Sequence, residues 1–141
     1  MAMYKRVVVA YDGSENARRV VEEAIRLAHL LEEMVIDLVY VIDEEELGSV
    51  AFRSDESLKN DPIVLEHLHP VEEMLDEDGV TYEVTKLRGT PAKVILAYAE
   101  QSHADLIIVG SRGLNPVSKL VLGSVSQKIV NESHIPVLVL K

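Results

Sequence analysis

The chain has 141 residues, 48% hydrophobic and 27% charged, which suits a single soluble domain with a real core and excludes a disordered or collagen-like chain. It has no cysteine, so disulfides, thiolate zinc sites and a cysteine nucleophile are excluded. A net charge of −10 argues against a general nucleic-acid-binding protein, which needs a basic footprint.

Lys5 and Arg6 precede only the short apolar run Val7 to Ala10, too short for a secretion signal. No stretch approaches the ~20 apolar residues of a membrane span. A cytoplasmic protein, without membrane contact and with residues 1–141 forming one domain, is expected.

Strand and helix patterns alternate along the chain. Val7 to Tyr11 is a β-branched run that stops at Asp12-Gly13-Ser14. Ala17, Val20, Val21, Ala24, Ile25, Leu27, Ala28 and Leu31 then recur at helical spacing, with Ser14 as N-cap. Val35 to Ile42 predicts a second strand, interrupted only by Asp37, and residues 43–60 read as an irregular, mobile loop. A helix is expected from about Asp61 to Asp78, with Pro62 in its first turn, Gly79 at its end and Pro70 inside it as a kink or break.

Val80 to Leu87 alternates as a third strand, with Tyr82 expected in the core. Thr90-Pro91 opens a helix over Ala92 to Ser102, whose Tyr98 is also read as core packing. Asp105 to Val109 is an almost wholly apolar strand of the kind buried on both faces of a parallel sheet. A last helix starts near Gly123-Ser124, and Val137 to Leu140 closes the chain as a fifth strand. The alternation predicts an α/β fold: one doubly wound, five-stranded parallel sheet with helices on both faces.

Charge is unevenly placed. Residues 43–83 hold 14 acidic against two basic side chains, read as a solvated surface. In residues 110–141, Arg112, Lys119, Lys128 and Lys141 face only Glu132, a local excess of positive charge that favours an anion. Ligands of open parallel sheets sit beyond the carboxyl ends of strands, where the winding reverses. The first strand ends in Asp12-Gly13-Ser14 and the fourth in Gly110-Ser111-Arg112-Gly113, followed by Gly123-Ser124-Val125-Ser126. Glycine lets backbone N–H groups approach a phosphate, and the helix beginning at Ser124 would present free N–H groups and the positive end of its dipole. On spacing alone, phosphate binding and a glycine-punctuated loop are equally good readings. Neither a Walker loop nor the G-x-G-x-x-G fingerprint is present. The five histidines lie on separate elements or, for His67 and His69, at a spacing that sends them to different faces, so no metal site is expected from them.

Taken together, the segments Val7 to Ser14, Ala104 to Leu114, Leu122 to Ser126 and Ile135 to Val139 resemble the universal stress protein family over essentially the whole chain. Gly110, Gly113, Gly123 and Ser124 match the G-x2-G-x9-G-S/T motif that marks the ATP-binding members. The resemblance implies strand order 3-2-1-4-5 and ATP as ligand, accompanied by Mg²⁺ or Mn²⁺. It places Asp12 near the ribose or phosphates and the Val41 backbone on adenine. Gly110, Arg112, Gly113, Gly123, Ser124, Val125 and Ser126 would lie around ribose and phosphates. No acidic cluster near the motif would hold a metal alone, so the phosphates would supply most of its ligands, and Asp12 is equally well read as a capping acceptor of the first helix.

The resemblance also implies a homodimer through the last strand. Val137, Leu138, Val139 and Leu140 agree, because that order leaves an apolar strand at a sheet edge that a second copy would cover. Expected function is that of an ATP-binding, stress-responsive regulatory module, in which bound ATP orders the Gly110–Ser126 segment for an unidentified protein partner. A slow ATPase or phosphoryl or nucleotidyl transferase using Asp12, and a nucleotide-independent interaction module, remain the alternatives.

Overall fold

Val7, Val8 and Val9 are wholly buried, because β1 (Arg6–Tyr11) has a hydrogen-bonded neighbour on each side and helices over both faces. The computed structural model describes residues 4–43, 61–112 and 122–141. After β1 come α1 (Glu15–Leu30), β2 (Val35–Asp43), α2 (Pro62–Glu77), β3 (Tyr82–Gly89), α3 (Pro91–Gln101), β4 (Leu106–Gly110), α4 (Ser124–Glu132) and β5 (Val137–Leu140). The five strands are all parallel, as the alternation predicts, in the order β3-β2-β1-β4-β5, as the resemblance implies. The expected irregular stretch lies, from residue 44 to residue 60, outside the described residues.

The chain winds outward from β1 twice. α1 and α2 cover one face, where Val20, Val21 and Ala24 of α1 and Leu68, Val71 and Leu75 of α2 pack on Val7, Val9, Ile36, Leu38 and Ile108. α3 covers the other with α4, where Ala92, Ile95, Ala99 and Ile129 pack on Val8, Val39, Ile107 and Val109. Right-handed crossovers require this change of face when the chain passes from β3 across to β4. Ser14 caps α1 as expected, its Oγ accepting from Ala17 N at 3.1 Å. Thr90 stands at the N-cap of α3 without a side-chain capping bond, and Pro91 follows as the first helical residue.

Three local expectations differ from what is observed. α2 runs continuously through Pro70. Its apolar side, Val64, Leu68, Val71 and Leu75, is buried against the sheet, and that packing outweighs the backbone hydrogen bond that proline removes. β3 begins at Tyr82 instead of Val80 and continues to Gly89, whose φ of +139° turns the strand tip onto Val94 of α3. Tyr82 and Tyr98 are only partly buried. The Tyr82 hydroxyl donates to Asp76 Oδ1 at 2.8 Å, and burial, followed by that bond, pushes its pKa up to about 12.

Asp37 explains Tyr98. This carboxylate has no exposed surface, in the middle of a strand. Arg6 Nη1 donates to Oδ2 at 3.0 Å, Thr85 Oγ1 donates to Oδ1 at 2.8 Å, and the Tyr98 hydroxyl donates to Oδ2. A buried charge is tolerated only when it is paired and hydrogen-bonded, and here β1, β3 and α3 each supply one donor. Burial, with the Asp37 bond, raises the Tyr98 pKa and keeps the phenol a donor. Nearby, Asp105 Oδ2 accepts from both Lys5 N and Arg6 N, at 2.8 and 3.0 Å, which ties the start of β1 to the segment leading into β4. Tyr98→Phe is expected to lower stability by about 1 kcal/mol and Asp37→Ala by roughly 3 kcal/mol, the larger loss because three donors lose their acceptor. Urea denaturation of both variants checks this, and equal small losses would contradict the network.

Candidate functional site

Strands β1 and β4 part company at their carboxyl ends. Their pairing stops at Val9↔Ile108, yet β1 continues to Tyr11 and β4 to Gly110. On the other side of β1, pairing with β2 continues to Tyr11↔Tyr40, and β2 then runs on beside β3 as far as Asp43↔Gly89. The sheet edge is therefore split between β1 and β4, at the point where the winding reverses, and such a split is where doubly wound sheets take ligands.

The turn after β1 forms one lip. Asp12 Oδ1 accepts from Ser14 N at 2.9 Å, which closes the turn, and Gly13 adopts a φ of +87° that favours glycine. Asp12 thus braces the turn that leads into α1, while Ser14 is the capping side chain. Among the described residues nothing is bonded to the second carboxylate oxygen of Asp12. The Tyr11 hydroxyl just before the turn donates to the His67 carbonyl at 2.7 Å. Its pKa is raised first by burial, with the charge of Asp12 adding and that of Arg18 opposing.

The segment after β4 forms the other lip. Ser111, nearly buried, receives a hydrogen bond from Gly123 N on its carbonyl at 2.7 Å, and its own N–H reaches Leu140 O at 2.8 Å. The end of β4, the start of α4 and the end of β5 are thereby fastened together. A Cβ on Gly123 would stand 3.3 Å from Ser111 O, a tight contact that Ser111 would have to ease by a few tenths of an ångström. Ser126 is 3% exposed, and its hydroxyl lies 3.0 Å from Gly123 O and 3.4 Å from Ser111 O, so it braces the same junction. Ser124 is exposed at the first position of α4 and Val125 is half-buried. With glycine as N-cap, no side chain among the described residues caps the first N–H groups of α4.

Across the split, Asn16 in the first turn of α1 donates from Nδ2 to Arg112 O at 2.7 Å. The same amide fills the space over Gly110, where a Cβ would collide with it and stand 3.3 Å from both Arg112 O and Val20 Cγ2. Gly110 is thus required by a close approach of α1, a reason that its place in a phosphate-loop pattern does not reveal. Neither Asn16 nor the packing of His67 on Gly13 was legible from spacing. Both are contacts between elements far apart in the chain.

Asp12, Gly110, Arg112, Gly123, Ser124, Val125 and Ser126 come together at this edge. Val41 lies on β2 just past the last β1–β2 pair, and the Arg112 side chain is exposed. Gly113 and Lys119 lie outside the described residues. Among the described residues no group of three or more His, Cys, Asp or Glu side chains could hold a metal ion, and no helix is long and apolar enough to cross a membrane. Gly110→Ala is expected to cost about 1–2 kcal/mol by displacing Asn16 and its bond to Arg112. In an Asn16→Ala background the same change should cost distinctly less. A double-mutant cycle in urea measures this coupling, and additive losses would mean that Asn16 does not fill the space over Gly110.

The sequence model described as the Universal stress protein family matches residues 3–141. A universal stress protein of Thermus aquaticus is 39% identical over 143 residues, covering 99% of this chain and all of that protein. Among solved structures, the protein MJ0577 superposes with a TM-score of 0.85 at 29% identity, covering 99% of this chain and 96% of its own. A universal stress protein in complex with cAMP shares the fold, with a TM-score of 0.74 at 23% identity and coverage of 100% and 98%. By the match of sequence along its length and of strand order throughout, the chain belongs to the universal stress protein family.

Proposed function

We propose that this chain is a single ATP-binding domain that works as a cytoplasmic, homodimeric regulatory module of the stress response. One observation carries the nucleotide reading: the split between β1 and β4, with the uncapped N-terminus of α4 on one lip and Asp12 on the other. An anionic ligand suits the free N–H groups and positive dipole end of α4, and Arg112 adds a full positive charge. The relative bound to cAMP has the same fold, which supports an adenine nucleotide in general. The matched glycine spacing favours ATP within that class.

The residues fit the nucleotide as follows. Ser124, Val125 and Ser126 offer backbone N–H groups to phosphates, and Gly110 and Gly123 keep the two loop segments close to the crevice. The Val41 backbone serves adenine, and Gly113 completes the motif. When bound, ATP brings its own phosphate oxygens to a Mg²⁺ or Mn²⁺ ion. The second oxygen of Asp12 is the protein group suited to join them, because among the described residues no cluster of side chains would hold the ion alone. These residues bind and orient; the regulatory output is a change in what a protein partner meets at this edge of the sheet.

Calorimetric titration with Mg–ATP is expected to give micromolar binding at about one nucleotide per chain. Gly123→Val should abolish it while the far-ultraviolet spectrum stays native. No heat up to millimolar ATP would discard the ATP mechanism, and cAMP titrated in parallel separates ATP from other adenine nucleotides.

The dimer reading rests on β5. It pairs with β4 on one side only, Leu138 is 36% exposed, and the apolar run from Val137 to Leu140 has no partner strand on its outer side among the described residues. Leu138→Lys is expected to shift the protein from dimer to monomer in sedimentation velocity. An unchanged dimer would place the interface elsewhere.

A further inference from the structure

We infer that His67 is a positioning residue for the nucleotide site, holding the Asp12-Gly13-Ser14 turn with the face of its imidazole; the inference rests on the ATP reading above. A Cβ at position 13 would collide with His67 Cγ, and would lie 2.6 Å from Nδ1 and 2.7 Å from Cδ2. A point so nearly equidistant from three ring atoms lies over the ring, so the imidazole presents its face to Gly13 and not its edge.

The imidazole is itself fixed. Tyr40 Oη lies 2.8 Å from His67 Nδ1, with the two ring centroids 5.9 Å apart. The Tyr11 hydroxyl holds the carbonyl of the same residue, and the Tyr11 and Tyr40 rings are themselves 6.4 Å apart. Both tyrosines are almost buried and face each other across the last β1–β2 pair, beside the crevice. His67 therefore moves only if the sheet edge moves.

The turn needs an external support of this kind. Its Asp12–Ser14 and Ser14–Ala17 hydrogen bonds shape it internally but do not place it relative to the sheet. Gly13, with φ +87°, has more backbone freedom than any other residue would have. Among the described residues, His67 meets the turn from the α2 side, and Asn16, in the helical turn that follows it, bonds Arg112 across the crevice. Removing His67 leaves a glycine hinge directly after Asp12. A looser Asp12 is a less preorganised ligand group, and affinity falls as a result.

The test compares the wild type with His67→Ala, His67→Gln and the double variant His67→Phe with Tyr40→Phe. The double variant restores a ring face and takes away both sides of the Tyr40–His67 bond at once. Mg–ATP affinity is expected to fall about tenfold in His67→Ala and His67→Gln, and to return to within about twofold of wild type in the double variant. Proton NMR gives a readout that needs no nucleotide: a Gly13 Hα resonance displaced upfield by ring current in the wild type and the double variant, and undisplaced in the other two. Wild-type affinity in His67→Ala or His67→Gln, or failure of the double variant to recover it, overturns the inference. So does a Gly13 Hα at its ordinary position in the wild type. If the wild type binds no ATP, the ATP reading fails, and the inferred role in nucleotide binding fails with it. Gly13 Hα then reports independently whether the clamp on the turn exists.

Discussion

β1 must hydrogen-bond β2 on one side and β4 on the other, and right-handed crossovers must reach both. Those two constraints place almost everything else. They send α1 and α2 to one face and α3 and α4 to the other, and they separate the connections after β1 and β4. The strands diverge there although α1 spans them, with its Asn16 and Val20 standing against Arg112 and Gly110 beyond the last pair. The split after Val9↔Ile108 is a direct consequence of winding, and the residues that follow each strand become its lips.

The two ends of the sheet solve opposite problems. Near the amino end, Asp37 is sealed under α3 and satisfied by Arg6, Thr85 and Tyr98, and Asp105 takes the N–H groups of Lys5 and Arg6. The Asp37 carboxylate there is satisfied by donors from the chain itself, which fixes register. At the carboxyl end the bonds brace the frame of the site instead. Ser111, Gly123 and Ser126 fasten α4 to β4, and Asn16 and His67 hold the turn that carries Asp12. Among the described residues, the first N–H groups of α4 and the second oxygen of Asp12 have no partner. Rigid surroundings with a few uncommitted polar groups are what a binding site requires, since ordering those groups at the moment of binding would cost affinity.

The glycines show how one residue type serves several physical ends. Gly13 is needed both for its positive φ and for the ring of His67. Gly110 is needed because Asn16 occupies the space beside it, while Ser111 O lies close to Gly123. The motif spacing therefore describes a tightly packed junction as much as a phosphate cradle. A Cβ at Gly110 would displace Asn16 before any ligand arrived.

Much of the fold was legible in the sequence because it depends on local pattern. The β-branched runs, the helical spacing from Ala17 to Leu31, the Ser14 cap and the Gly79 stop each specify their element through neighbours a few residues away. The family resemblance supplied strand order, and with it the edge at which the Asp12 turn, Gly110 and Gly123 meet. Tertiary structure alone decided the rest. Packing of Val64, Leu68, Val71 and Leu75 carries α2 straight through Pro70, against the local propensity of proline. Asp37 reads as an interruption of an apolar strand until Arg6, Thr85 and Tyr98, from three other elements, converge on it. Asn16 and His67 carry no signal in spacing, because what they touch lies 96 and 54 residues away along the chain. Sequence pattern determines which elements form, and the family resemblance adds the order in which they wind; only the packed sheet determines which distant side chains meet at its open end.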